Sequence, residues 1–528
     1  MPSMAATALP PFKADLEGVG PIAGLDYDDD HVLRAPSLRF AVAGNPFSGG
    51  VNNTEDARRL IAAVGAALAR RTADVEALEI NFVYSSSGNI YVRLPPEGFY
   101  VFRHGHAADI TSAHLAAWLR FAELRVTGSF TLAVPTLSGP GTKAAAPCEQ
   151  KRVAELPSSA RAETMSLSLG DAGLTVPAAG AGAFRALGDL LLSHARIEPG
   201  GADERNLSHL LSASCCPQLR RLRLEHIAGL AALRLDAAAT LEELRLDHLR
   251  DLSSLELDAP GLRALHVAGC YKMVDDEASA TISAPRLETL AFDSMCHPDR
   301  LLQFDGAATV RRLEKIFLWS HVLPGRCCNE GALWLLQHCT AADSLSMEIC
   351  PPMEEDEIEE MARTSVPQLP SITSLTIDVT PGRWHNLKAF IAELITKCSR
   401  VEHLSIDIQC ANNACLKAQC PCKGEDDDQK ISMEHLREAK ITGFRPSKYH
   451  QSLVGLMIAG APALERMALQ LDIGMELNGS LPCDRGHWIP CVTEHSSKRS
   501  RTTVYEWTPD KKKIEEGERS DYLILSRF

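Results

Sequence analysis

Between residues 219 and 267 leucine returns with a fixed rhythm: LRRLRLEHIAG, LAALRLDAAAT, LEELRLDHLRD, LSSLELDAPG and LRALHV follow one another without a break. Each copy has the form L-x-x-L-x-L, and the next begins 10 or 11 residues later. Apolar and polar positions alternate after the first leucine, the pattern of a strand that buries one face and exposes the other. A unit this short cannot bury its apolar side alone, so tandem copies predict stacked coils.

Hexads of the same kind recur at wider intervals, starting at Ala162 (AETMSL), Leu187 (LGDLLL), Leu287 (LETLAF), Leu313 (LEKIFL), Ala342 (ADSLSM), Ile372 (ITSLTI), Val401 (VEHLSI), Leu436 (LREAKI) and Leu464 (LERMAL). With Leu219, Leu241 and Leu262 taken as the members of the dense stretch, the steps run from 21 to 35 residues. Those are leucine-rich-repeat lengths or slightly more. A coil made of a strand and its return needs about 20 residues, so an 11-residue copy is half a coil. Helix-like segments precede the later hexads, as in GALWLLQHCTAADSLSM, NLKAFIAELITKCSRVEHLSI and SLVGLMIAGAPALERMAL, and NLSHLLSASCCPQ precedes Leu219 in the same way. This groups the hexads at 219, 241 and 262 and sends those at Leu230 and Leu252 to the opposite side. The expected fold class is α/β, a leucine-rich-repeat solenoid with a curved parallel sheet and strands or helices on its convex side.

The remainder of the chain divides by composition. Residues 1–34 read as a disordered lead-in rich in Pro, Gly and Asp, and 35–134 as strand and helix repeats. The Pro-, Gly-, Ser- and Ala-rich stretch 135–160 reads as a linker or long loop, 161–472 as the solenoid, and 473–528 as an irregular C-terminal tail.

In each hexad the third and fifth residues face outward along the concave sheet. They nominate a partner-binding surface of Arg221, Arg223, Glu243, Arg245, His266, Lys315, Phe317 and His403, basic at its start and small and polar through Ser374, Thr376 and Ser405. A net charge of -14 argues against general affinity for nucleic acid or an anionic membrane. No secretory signal or membrane span is legible, so a cytoplasmic or nuclear protein with sixteen reduced cysteines is expected.

Motifs for catalysis are missing: there is no G-x-S-x-G, no H-E-x-x-H and no phosphate loop, and SGPGTK at 138–143 lacks the required spacing. No enzyme activity and no cofactor are therefore expected. Cys410, Cys415, Cys420 and Cys422 supply enough thiolates for tetrahedral zinc, but C-x4-C-x4-C-x-C is not a paired C-x2-C arrangement, and a reduced Cys-rich loop is the expected reading. His104, His106 and His114 lack acidic or thiol partners at ligand spacing and read as surface histidines.

Three segments, HLAAWLRFAELRVTGSFTLAVP (114–135), residues 215–267, and CPCKGEDDDQKISMEHLREAKITGF to APALERMALQLD (420–472), resemble the large plant family of F-box proteins with leucine-rich repeats and a C-terminal FBD-type region. The FBD-like part covers about 404–472, and YEWTP at 505–509 is similar to the ends of such proteins. The resemblance implies a substrate-recognition subunit of a cullin-RING ubiquitin ligase that binds a protein on its concave face. In that family an N-terminal F-box with an L-P motif holds the Skp adaptor. Here the L-P near the start, Leu9-Pro10, runs into Pro11 and a Gly- and Asp-rich stretch, so adaptor binding is expected only if an F-box is supplied or hidden.

Overall fold

Buried leucines set the register of the first ladder of strands. The computed structural model describes residues 35–41, 54–83, 90–94, 98–102, 110–135, 152–178, 180–198, 201–236, 239–274, 278–293, 301–319, 329–350, 366–380, 387–408, 431–445, 448–471, 481, 486–493 and 502–509. They belong to two compact units, one within 1–286 plus 302–304 and the other within 287–301 plus 305–528. The architecture is α/β, with long, mostly parallel strand ladders and few helices among the described residues.

The first unit contains β1 (Ser37–Ala41), β2 (Val75–Asn81), a hairpin of β3 (Ile90–Leu94) and β4 (Gly98–Phe102), β5 (Val126–Val134), β6 (Val153–Glu155), β7 (Thr164–Thr175) and β8 (Asp189–Arg196). It continues with β9 (Arg221–Ala228), β10 (Ala232–Leu235), β11 (Glu243–Asp247), β12 (Ser254–Asp258), β13 (Ala264–Ala268) and β14 (Ser279–Ser283). The strands β1, β2, β5, β7, β8, β9, β11 and β13 pair in succession, all parallel. Leu222, Leu244 and Leu265 lie opposite one another, as do Leu224, Leu246 and Val267, and all six are buried. Each such side chain contributes about 1.5 to 3 kcal/mol by leaving water, and a one-residue slip would expose the whole set.

The hexads at Leu230 and Leu252 do form strands of a separate sheet, in which β10, β12 and β14 run parallel. A fourth strand completes it: Leu301–Asp305, numbered β16 because it follows β15 (Thr289–Phe292) in the chain. The helix Ala202–Leu210 ties into this sheet through Glu204, a buried carboxylate that accepts hydrogen bonds from the backbone N–H groups of Ala231 and Ala232 at the start of β10. The expected linker at 135–160 needs correction at its end: β6 pairs with β7, and Arg152 is buried beside it, donating to the carbonyls of Pro135 and Gly170.

In the second unit β15, β17 (Arg312–Trp319), β18 (Ser344–Cys350), β19 (Ser374–Val379), β20 (His403–Ile408), β21 (Glu438–Phe444) and β22 (Arg466–Leu471) form a parallel ladder. The helices Glu330–His338, Leu387–Lys397 and Lys448–Gly460 precede β18, β20 and β22, as the helix-like segments of the sequence predict. The stretch 473–528, expected as an irregular tail, supplies two strands: β23 (Gly486–Thr493) pairs with β24 (Thr502–Pro509), which adds antiparallel to β22. Trp488 and Trp507 explain the difference, because these buried indoles face each other across the hairpin and give it an apolar side of its own.

His450 ties this unit's stability to pH. Its imidazole is buried against Phe444, and Nδ1 accepts a hydrogen bond from the Arg445 backbone at 3.0 Å, a contact only the unprotonated nitrogen makes. Burial, helped by the Arg445 charge, pulls its pKa down to about 4 from an ordinary 6.5. Below pH 6.5 the unfolded chain binds a proton that the folded one does not. Stability from this group is therefore whole above pH 6.5 and lost as pH falls through 4, by about 3 kcal/mol in all. Hydrogen exchange of peptides from 438–471 should quicken over this window, and His450→Gln should flatten the dependence.

Candidate recognition face

The side of each ladder opposite the buried leucines carries polar side chains in register. In the first unit Asp189, Arg221, Glu243 and Ala264 make one row across β8, β9, β11 and β13, and Leu191, Arg223, Arg245 and His266 make the next. A third row, Ser193, Glu225, Asp247 and Ala268, lies one step further along. The hexad template ends before this row, so the leucine pattern does not reveal it.

The third row and Asp189 change the charge of the face. Arg221 grips Asp189 with two nitrogens, Nη2 at 2.7 Å from Oδ2. Arg223 donates to Glu243 at 3.0 Å, and Arg245 donates to Asp247 at 2.7 Å with Glu225 at 3.8 Å. The three arginines are thus interleaved with Asp189, Glu225, Glu243 and Asp247, and the expected basic opening is a mesh of alternating charge. Asp247 is its most constrained member. Burial pushes its pKa up, but hydrogen bonds from His248 and Arg245, and then their charges, outweigh that and hold the carboxyl well below the usual range.

His248 belongs to a stack. The rings of His194 and His226 lie 4.7 Å apart and those of His226 and His248 4.5 Å apart, nearly parallel in both cases. All three residues have a left-handed backbone, with φ of 51°, 52° and 55°. The next rung ends in Gly269 at φ 65°, where an added Cβ would come within 3.0 Å of the His248 ring. Histidine, aspartate and asparagine are the side-chain-bearing residues that enter this region most readily. The signal was present in the sequence as LSH, LEH, LDH and VAG closing consecutive rungs.

In the second unit the first row runs Thr289, Arg312, Ser344, Ser374, His403, Glu438 and Arg466. The hexad read at Leu313 was out of phase. Leu313 pairs with Leu345, so Arg312 holds the place given to Lys315. One extra residue between Leu313 and Ile316, with Lys315 at φ 53°, makes a bulge that carries Phe317 forward to lie opposite Glu348. Lys315 still acts on this face, since its charge partly counters the rise in the Glu348 pKa.

Glu348, Asp378 and Asp407 stand in register on β18, β19 and β20. Burial and then the Asp378 and Asp293 charges raise the pKa of Glu348, while burial and then Asp407 raise that of Asp378. The first and second rows are less crowded. Small side chains at Ser374, Thr376, Ser405 and Ala468 leave a depression of about 540 Å³, with Glu506 of β24 on its border.

Among the described residues, no group of three or more His, Cys, Asp or Glu side chains could hold a metal ion. Cys410, Cys415, Cys420 and Cys422, with His104 and His106, lie outside the described residues. His114 caps the helix Ser112–Arg125, where its Nδ1 accepts from the Thr111 backbone at 3.2 Å. Cys216, Cys339 and Cys398 are buried, and burial pushes their thiols up to about 12, far from the thiolate state that a nucleophile or metal ligand requires. No helix among the described residues is long and apolar enough to cross a membrane. No protein-family model matches the chain, and no curated protein matches it in sequence.

Proposed function

We propose that this chain is a non-catalytic recognition protein, a leucine-rich-repeat solenoid that binds a protein partner on its polar sheet face. By its resemblance it is related to the substrate-recognition subunits of SCF-type cullin-RING ubiquitin ligases. The supporting observation is the register itself: within each unit, consecutive parallel strands repeat exposed or half-exposed polar side chains in matched rows, so each ladder displays many separately variable contacts. Apolar positions hold the ladder and polar ones are left to recognition, a division typical of repeat proteins that bind along a face. An abundance of mutual ion pairs favours a partner whose own charges alternate, since unmatched charge would be costly to desolvate there.

Proximity labelling tests this reading. Reversing Arg221, Arg223 and Arg245 to glutamate should remove a defined subset of labelled proteins. Arg234→Glu on β10, in the separate sheet, should leave the set unchanged. Identical sets from both variants would refute the reading. A second reading is a ligase-independent scaffold or competitor for substrates. Capture of the chain by an immobilised Skp adaptor would support the ligase, and failure where an intact F-box protein is captured would leave the scaffold.

A further inference from the structure

The depression on the second unit's face has a chemical bias. Its charged members are Glu438, Lys440, Arg466 and Glu506, and the His403 imidazole also lines it. Arg466 donates to Glu506, and His403 Nε2 lies 3.9 Å from a Glu438 oxygen. Lys440 is left: among the described residues this exposed ammonium has no hydrogen bond or ion pair.

Lys440 also has room around it. Its cross-strand neighbours are Ser405 on β20 and Ala468 on β22, and Thr376 lies beyond Ser405. Lys440 lines the depression between these short side chains. The hydroxyls of Ser374, Thr376 and Ser405 likewise have no side-chain hydrogen bond among the described residues. Three donors that rotate to suit and one cation therefore face the same space.

We propose that this depression is a binding site for a single carboxylate, held by Lys440 and hydrogen-bonded by the hydroxyls of Ser405 and Thr376. A monoanion matches Lys440, the lining cation that makes no ion pair among the described residues. A dianionic phosphate would leave excess negative charge facing Glu438 and Glu506, with Asp378 and Asp407 one row away. Those two aspartates do not line the depression. The inference deepens the recognition reading by naming what the face selects, a carboxylate from either a small free acid or a glutamate side chain of a peptide.

Acetylation of Lys440 by an activated acetate ester, read by mass spectrometry against Lys272, tests the site on the full chain. The probes are N-acetylglycine for the free acid and a blocked Gly-Glu-Gly tripeptide for the peptide-borne one, with N-acetylglycinamide, blocked Gly-Gln-Gly and inorganic phosphate as comparisons. At a probe concentration of about three times its Kd, acetylation of Lys440 should slow about fourfold while that of Lys272 is unchanged. Protection by the free acid alone identifies a small ligand, and protection by the peptide alone or by both identifies a carboxylate accepted from a protein. Ser405→Ala and Thr376→Val should each weaken protection without altering the rate in the absence of probe. Equal protection by acid and amide, stronger protection by phosphate, or none from either acid overturns the proposal. Because it leaves the first unit's arginines untouched, such a failure is distinct from failure of the wider recognition reading.

Discussion

Leu244→Ala should destabilise the first unit by about 2 to 5 kcal/mol, while Arg245→Ala, one residue on, should cost about 1 kcal/mol or less. Leu244 is wholly buried between its register partners Leu222 and Leu265, so truncation loses transfer free energy and leaves a cavity that paired strands on both sides prevent from closing. Arg245 is about a third exposed, and its ion pairs with Asp247 and Glu225 are reached by water and salt. Its removal still leaves Asp247 hydrogen-bonded to His248. Urea unfolding followed by hydrogen exchange of peptides from 219–267 separates the two variants. Equal destabilisation would mean that the faces are assigned the wrong way round.

Gly443→Ala should cost about 3 kcal/mol, from two causes that add. Gly443 has φ of 71°, a left-handed conformation that a Cβ penalises, and an added Cβ would lie 2.1 Å from the Ile408 carbonyl oxygen at the end of β20. A backbone atom cannot swing aside as a side chain tip does, so β20 and β21 must separate locally. The same stretch contains the register shift between Ile441 and Phe444, which returns Phe444 to the core opposite Leu471. Faster exchange confined to peptides of β20, β21 and β22 is the expected signature. Unchanged exchange there would show that the turn relaxes without strain.

Much of the ladder was legible because leucine reports burial directly: the hexads at 219, 241 and 262 became β9, β11 and β13, and those at 230 and 252 entered the separate sheet. Legibility failed where the spacing of apolar residues was ambiguous. In VRRLEKIFL both Val310 and Leu313 fit the template's opening position, and only pairing with β18 shows that the strand contains an extra residue. The strands β14 and β16 were missed because ASATIS and LLQFD lack the spaced L-x-L pair, although Ala280 and Ile282 alternate inward as leucines do elsewhere. Charge was misread for a different reason. Arginines within the hexad were visible, but Asp189, Glu225 and Asp247 reach them only across rungs or from beyond the sixth position, and no single rung contains the whole mesh.

The bulge at Lys315 shows how this design handles length. An additional residue displaces Phe317, yet Ile316 and Leu318 regain Met347 and Ile349 as partners within the same strand. Every rung finds its phase again from its own buried pair, so a miscount dies out locally. Connections between rungs are therefore free to lengthen or shorten independently, and diversity accumulates along the chain while the spacing of the displayed side chains stays constant.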